Sequence, residues 1–216
     1  MFVEKWMTPN PKTISPDASI SSVAMEMNRL KFRHFPVAEA TRSGLRLVGI
    51  VSKYDIARGF PANLNPFSLE VVEDSVSRPV SSVMTKKLIT TTPDCPIEEA
   101  ARTLRSSRIG ALPVLKENRL VGIITESDIF DAFVSMTAAK SGGVRILIES
   151  AAPDNPLPSI LQLSHQYHVD ILSIIWFHEN RLRGHDMAIC RFGNRLPSAF
   201  LQEITQSGFR IVSIEG

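Results

Sequence analysis

Two eight-residue phrases in this chain carry groups that could do chemistry, and they are nearly the same phrase. "GIVSKYDI" begins at Gly49 and "GIITESDI" begins at Gly122. Each sets a hydroxyl three residues before a carboxylate: Ser52 with Asp55, and Thr125 with Asp128. Such a pair can close a capping box, in which the hydroxyl accepts an orphan backbone N–H and the acid reaches back to the cap. That role alone stabilises by about 1 kcal/mol and needs no ligand. The same groups could also bind one. A carboxylate accepts from two neighbouring O–H groups, and a helix N-terminus favours phosphate. Glycine before the pair permits a close backbone approach. Both readings stand at this point.

The elements around the phrases repeat as well. "MTPNPKTISPDASI" from Met7 matches "MTKKLITTTPDCPI" from Met84, and "HFPV" matches "ALPV" in the same register. A repeated period marks a repeated structural unit. In each copy a short extended segment (Thr13–Ile14; Ile89–Thr91) leads into "PD" turn chemistry. A helix follows, with Ile20, Val23, Ala24, Met27 and Leu30 at helical spacing in the first copy and Ile97, Ala101 and Leu104 in the second. Pro96, Glu98 and Glu99 suit that helix's first turn. Two strands come next, and a second helix starts near Lys53 or Glu126. Each unit reads β-α-β-β-α. "AEATRSGLR" against "LKENR" gives the first copy the longer hairpin loop.

The stretch Phe60–Pro79 carries Pro61, Pro66 and Pro79 and reads as a linker or an excursion on the outside. "AKSGG" at Ala139–Gly143 is a cleaner boundary. Beyond it the phrase does not recur. "VRILIES" reads as a strand and "PLPSILQLSHQYHVD" as a helix, with Ile160, Leu161 and Ser164 on one face. "ILSIIWFHEN" and "HDMAICRFG" read as strands joined by "ENRLRG". "LPSAFLQEITQSG" reads as a helix stopped near Gly208, and "FRIVSIEG" as a last strand. This β-α-β-β-α-β order is ferredoxin-like. The fold class is α+β, with units at 1–60 and 80–138, a linker at 61–79 and a third module at 144–216.

The repeats resemble a pair of CBS domains, the cystathionine-β-synthase-type regulatory module. The resemblance rests on "MT", the helix after "PD", "PV", and Gly-Ile-Val/Ile-Ser/Thr-x-x-Asp-Ile, in order and twice, over roughly residues 1–138. Such a pair is a Bateman module. The last third resembles an ACT domain, a small-molecule sensor. The whole is similar to the acetoin-utilisation-type regulatory proteins of bacteria. The resemblance implies a homodimer. It implies adenosine-containing ligands (AMP, ADP, ATP or S-adenosylmethionine) as regulatory ligands, not catalytic cofactors. It places ribose on Asp55 and Asp128, and ribose or phosphate near Ser52 and Thr125. Adenine would be flanked by Thr13, Ile14, Phe35, Pro36 and Val37 in one copy, and by Thr90, Thr91, Leu112, Pro113 and Val114 in the other.

The copies differ where phosphate charge would be met. Arg33-His34 precedes "FPV", while Gly110-Ala111 precedes the second "PV", with Arg108 a little earlier. The first pocket is therefore expected to prefer phosphorylated adenosine. The second is expected either to take a less charged ligand or to borrow a base from the facing unit. Arg33-His34 could equally be a solvated helix end. In the ACT-like part, Asp154-Asn155-Pro156 is followed by Leu157 where a glycine is usual in amino-acid-binding relatives. This puts amino-acid binding in doubt and raises dimerisation as the alternative.

Composition excludes little else. The net charge of +2 on 216 residues, without a basic run, does not indicate nucleic acid. No signal peptide or bilayer-long apolar run is evident, and Cys95 and Cys190 have no redox spacing. A cytoplasmic protein with no membrane association is expected. His165, His168, His178, His185 and Cys190 complete no recognisable metal spacing. No catalytic constellation is apparent, so no enzyme is expected. The reading is a metabolite sensor that passes a conformational change to its last module or to an unknown regulated protein. The alternatives are a constitutive dimerisation scaffold and a regulatory subunit of an unidentified enzyme.

Overall fold

The computed structural model describes residues 1–41, 44–61, 64–67, 77–150, 157–178, 186–193 and 195–216. It divides into two compact units, Met1–Phe130 and Asp131–Gly216.

In the first unit each repeat forms two helices and a hairpin, as its pattern predicts. Helix α1 (Ile20–Leu30) buries Ile20, Val23, Ala24 and Met27 and is capped by Ser19, whose Oγ accepts from Ser22 N–H at 3.2 Å. Strands β2 (His34–Thr41) and β3 (Gly44–Ser52) pair antiparallel, and α2 (Lys53–Gly59) follows at once. The second repeat gives α3 (Ile97–Ser107), β4 (Ala111–Lys116), β5 (Arg119–Thr125) and α4 (Glu126–Met136), the last running across the division between the units. In α3 the buried positions are Ile97, Ala100 and Leu104, so the helix turns Ala100 inward where Ala101 was expected. Pro96 is the N-cap, and its carbonyl accepts from Glu99 and Ala100.

The repeats exchange their leading segments. Strand β1 (Thr8–Pro9), which belongs to the first copy in sequence, pairs with β5 of the second: Thr8 lies opposite Ile123 and Pro9 opposite Gly122. In return Thr85 of the second copy bridges Ile50 of β3, donating at 2.9 Å and accepting at 3.1 Å. Val3 and Glu4 donate to the carbonyls of Cys95 and Pro93, Ile20 N–H donates to the Arg78 carbonyl, and Val80 N–H donates to the Ala18 carbonyl. The end of the 61–79 stretch is thus tied to the first repeat.

The glycines of the repeated phrase serve this exchange. A Cβ on Gly49 would lie 2.5 Å from Met84 Sδ and 3.2 Å from the Thr85 carbonyl. One on Gly122 would meet Met7 Cγ at 3.0 Å and Cε at 3.3 Å. The close approach anticipated for a ligand is made by the methionine of the other repeat's "MT". A register shift sits beside each glycine, at Val37/Ala38 and at Val114/Leu115.

The second unit is a four-stranded antiparallel sheet in the order β7-β8-β6-β9, from β6 (Val144–Ser150), β7 (Ile171–His178), β8 (Asp186–Phe192) and β9 (Phe209–Glu215). Helices α5 (Leu157–Tyr167) and α6 (Ser198–Gln206) complete the order β-α-β-β-α-β. Ile146, Ile148, Cys190 and Phe192 of the sheet pack on Ile160, Leu163, Phe200 and Ile204 of the helices. The α5 face differs from the expected one: Leu163 is buried and Leu161 is exposed. The expected Asp154-Asn155-Pro156 turn and the expected "ENRLRG" connection lie outside the described residues.

Candidate functional site

Both capping boxes form. Ser52 N–H and Oγ–H donate to Asp55 Oδ2 at 2.8 and 2.6 Å, and Asp55 N–H donates back to Ser52 Oγ at 3.2 Å. Thr125 and Asp128 repeat the pattern at 2.7, 2.8 and 3.4 Å. The cap therefore consumes one carboxylate oxygen, Oδ2, in each pair. Oδ1 of Asp55 and of Asp128 takes no hydrogen bond from any described residue. Each acid lines a cavity. Two short hydrogen-bonded steps thus aim a half-used carboxylate from the first turn of a helix, where the macrodipole also favours an anion.

The larger cavity, of about 500 Å³, holds Asp128 and Thr125. The smaller, of about 380 Å³, holds Asp55 and Ser52. Both volumes lie within the roughly 300–1,000 Å³ usual for small-molecule sites. Bases reach each cavity from the other repeat. Lys12, Lys31 and Arg33 of the first copy line the Asp128 cavity, and Arg33 donates to Ser127 Oγ at 2.9 Å. Lys87 and Arg108 of the second copy line the Asp55 cavity. Arg33 was expected beside Asp55. Arg33 sits at the end of the α1 turn, and that turn faces the partner repeat's phrase. The borrowed base is the arrangement that forms, and it forms in both directions.

Of the ten residues expected to flank adenine, only Phe35 and Pro36 are among the cavity-lining residues, both at the Asp128 cavity. Val37, Leu112 and Val114 are fully buried because their strands turn them into the core. Thr13, Ile14, Thr90, Thr91 and Pro113 line neither cavity; Ile14 and Thr91 instead extend the sheets, bridging Val37 and Val114 in parallel. The apolar walls come from Pro11 and Ile123 in one cavity and from Ile50, Ile89 and Ile109 in the other.

Lys12, Lys31 and Lys87 were missed by sequence reasoning, yet a signal existed. Lys31 aligns with Arg108, and both end their helices in the left-handed conformation, with φ of 59° and 54°. A cation there complements the helix C-terminus. Among the described residues, His34 alone lines both cavities. Burial and the neighbouring Arg33 hold its imidazole below the ordinary value of 6.5, against the opposing pull of Asp55 and Glu126.

The family model for the CBS domain matches residues 3–61 and 80–135. The chain belongs to the CBS-domain family. CBS pairs are generally regulatory and non-catalytic modules. The CBS pair is similar to a CBS domain-containing protein of Dictyostelium discoideum, 29% identical over 63% of this chain and 93% of that one. It also matches the homoserine O-acetyltransferase of Methanohalobium evestigatum at 33% identity, but over only 23% of that enzyme and 59% of this chain. Among solved structures, the acetoin-utilization-type protein AcuB from Vibrio cholerae aligns with a TM-score of 0.55 and 27% identity, over 66% of this chain and 98% of its own. The CBS domain pair of protein MJ0100, in complex with 5'-methylthioadenosine and S-adenosyl-L-methionine, aligns with a TM-score of 0.51 and 26% identity, over 62% of this chain and 95% of that one. CBSX2 in complex with AMP gives 0.50 and 25%, over 62% and 96%.

No group of three or more His, Cys, Asp or Glu among the described residues is placed to hold a metal ion. No described helix is long and apolar enough to cross a membrane.

Proposed function

We propose that the CBS pair is a sensor of adenosine-containing ligands, with one site in each cavity. Asp128 and Asp55 accept from ribose hydroxyls through the oxygen that the capping box leaves over. Thr125 and Ser52 present the helix N-terminus beside it. Phosphate is met by Arg33 with Lys12 and Lys31 at the Asp128 site, and by Arg108 with Lys87 at the Asp55 site. Both sites accept AMP; the larger and more basic Asp128 site prefers the more highly phosphorylated ligands, and the smaller prefers AMP or S-adenosylmethionine. The observation that carries this reading is the same in both cavities: a half-used carboxylate at a helix start, opposite bases supplied by the other repeat. The neighbours bound to S-adenosyl-L-methionine, 5'-methylthioadenosine and AMP support the ligand class.

The division of labour follows the chain: CBS units at 1–60 and 80–138 joined by 61–79, and an ACT-like module at 144–216. The β-α-β-β-α-β order with sheet order β7-β8-β6-β9 supports the ferredoxin-like reading of that module. It acts as the output element or as a dimerisation surface of a cytoplasmic, non-catalytic homodimer. Ligand binding can shift it only if the two conformations differ in ligand affinity.

Calorimetric titration of ligand-stripped protein with AMP, ADP, ATP and S-adenosylmethionine tests the reading. At least one should bind, Asp55→Ala should remove one site and Asp128→Ala the other. No binding by any of the four to folded protein refutes it. A second reading, a dimerisation scaffold whose phrases only cap helices, is favoured by the completeness of both capping boxes. Equal binding by the two alanine variants and the parent would support it.

A further inference from the structure

The centre of the CBS pair breaks its internal symmetry. His34 lies opposite Ser52 in the β2–β3 ladder, and its repeat mate Ala111 lies opposite Thr125 in the β4–β5 ladder. One copy thus contributes an imidazole and the other contributes room for it. A Cβ on Gly110 would come within 2.8 Å of His34 Cε1 and 3.0 Å of Nε2. Any side chain at Gly110, the repeat mate of Arg33, would therefore crowd the ring. His34 lines both the Asp128 cavity and the Asp55 cavity. Among the described residues it neither donates nor accepts a side-chain hydrogen bond. A half-buried polar ring without a protein partner calls for an explanation. The charged groups facing it are Arg33 beside it, Asp55 at the start of α2 and Glu126 at the start of α4, and the bases of the two cavities stand further round.

We propose that His34 is a shared hydrogen-bonding wall that couples the two nucleotide sites negatively, so that a ligand in one cavity weakens binding in the other. This rests on the sensor reading given above. A neutral imidazole has one N–H donor and one acceptor nitrogen. A phosphorylated ligand brings acceptors, so the cavity that wins the N–H leaves the lone pair facing the other. The second ligand then loses a donor and meets a repelling acceptor. The Asp residues and the bases are duplicated and can serve both sites at once. His34 is single and cannot.

The test is AMP titration by calorimetry at pH 8, where the ring is neutral. Asp55→Ala and Asp128→Ala give the affinity of each remaining site alone, and the parent chain gives the two together. In the parent, the second AMP should bind at least about 5-fold more weakly than that site binds alone, the low end of ordinary coupling between sites. His34→Leu keeps the bulk and removes both hydrogen-bonding groups, and it should bring the ratio to within about 2-fold of unity. His34→Gln keeps one donor and one acceptor and should retain the coupling. Two independent sites in the parent, or the same coupling in His34→Leu as in His34→Gln, overturns the inference and leaves the sensor reading standing. Failure of the parent to bind AMP at both sites overturns the inference, and failure to bind any of AMP, ADP, ATP and S-adenosylmethionine overturns the sensor reading as well.

Discussion

Replacing Gly49 or Gly122 by alanine should destabilise the CBS pair through the exchanged methionine, not through any ligand. The alanine Cβ on Gly49 would sit 2.5 Å from Met84 Sδ and 3.0 Å from its Cγ, with the Thr85 carbonyl at 3.2 Å. The methionine tip can move, but Thr85 is held by two backbone hydrogen bonds to Ile50 at 2.9 and 3.1 Å. The overlaps with Met84 are the severe ones, and the Thr85 carbonyl adds a smaller share. Overpacking of this kind costs about 1–3 kcal/mol. Gly49 lies in an ordinary extended strand, so alanine also removes unfolded-state freedom, which returns about 0.4–1 kcal/mol. The net expectation is a loss of about 1–2 kcal/mol, read as a lower urea midpoint in equilibrium unfolding of the ligand-free protein. The decisive measurement is the cycle with Met84→Ala. Removing the thioether should abolish most of the penalty, so that Gly49→Ala in the Met84→Ala background costs less than about 0.5 kcal/mol, a difference that direct contact allows. Additive effects of the two substitutions would refute the assignment of the glycine to the methionine. Gly122→Ala with Met7→Ala offers the same cycle on the other side.

Other substitutions separate the remaining roles. Ser52→Ala should cost about 0.5–2 kcal/mol in denaturant unfolding without ligand, because Asp55 N–H loses its acceptor. Stability should fall as acid is added below pH 6.5, because His34 titrates below that value in the folded chain and at about it when unfolded. The stabilising contribution is full above pH 6.5 and is lost as pH drops through the folded value. His34→Gln should remove that step from a plot of urea midpoint against pH, and an unchanged plot would contradict the assignment. Cys190 is fully buried, and burial pushes its thiol up to about 12. It should stay unlabelled by a thiol reagent at pH 8 in the native protein and react on unfolding, so that mass spectrometry finds any native adduct on Cys95.

The sequence made the CBS pair legible because the same constraints are written twice. Helical spacing of Ile20, Val23, Ala24 and Met27, and the hydroxyl–carboxylate pairs, are local signals that survive without tertiary information. Ala101 and Leu161 failed as core positions for a local reason as well: each has an apolar neighbour within two positions, and only packing decides which of the two turns inward. The residues that line the cavities differ from the expected ones for another reason. Thr13, Ile14, Thr90 and Thr91 are close to Pro11, Lys12 and Ile89 in sequence. Which of them lines a space depends on where the extended segment leaves its sheet, and a bridge such as Ile14 to Val37 carries no sequence signature.

The exchange between repeats explains why Arg33, expected beside the acid of its own copy, lines the other copy's cavity. A repeat invites the assumption that each copy completes its own pocket, with its own acid and its own base. Here "MT" of each copy crosses to the other sheet, and the glycine of each phrase is the seat for the visitor. Once the leading segments are exchanged, Lys12 and Lys87 travel with them, since they follow those segments directly. Lys31, Arg33 and Arg108 face the same way because the left-handed caps of α1 and α3 turn the chain toward the partner's phrase. Neither repeat can therefore form a complete cavity alone. On the sensor reading, loss of one acid should remove one site, whereas loss of one repeat's fold should remove both. The two sites differ because Gly110-Ala111 yields space to a single imidazole, and an otherwise symmetric pair is left with one shared group at its centre.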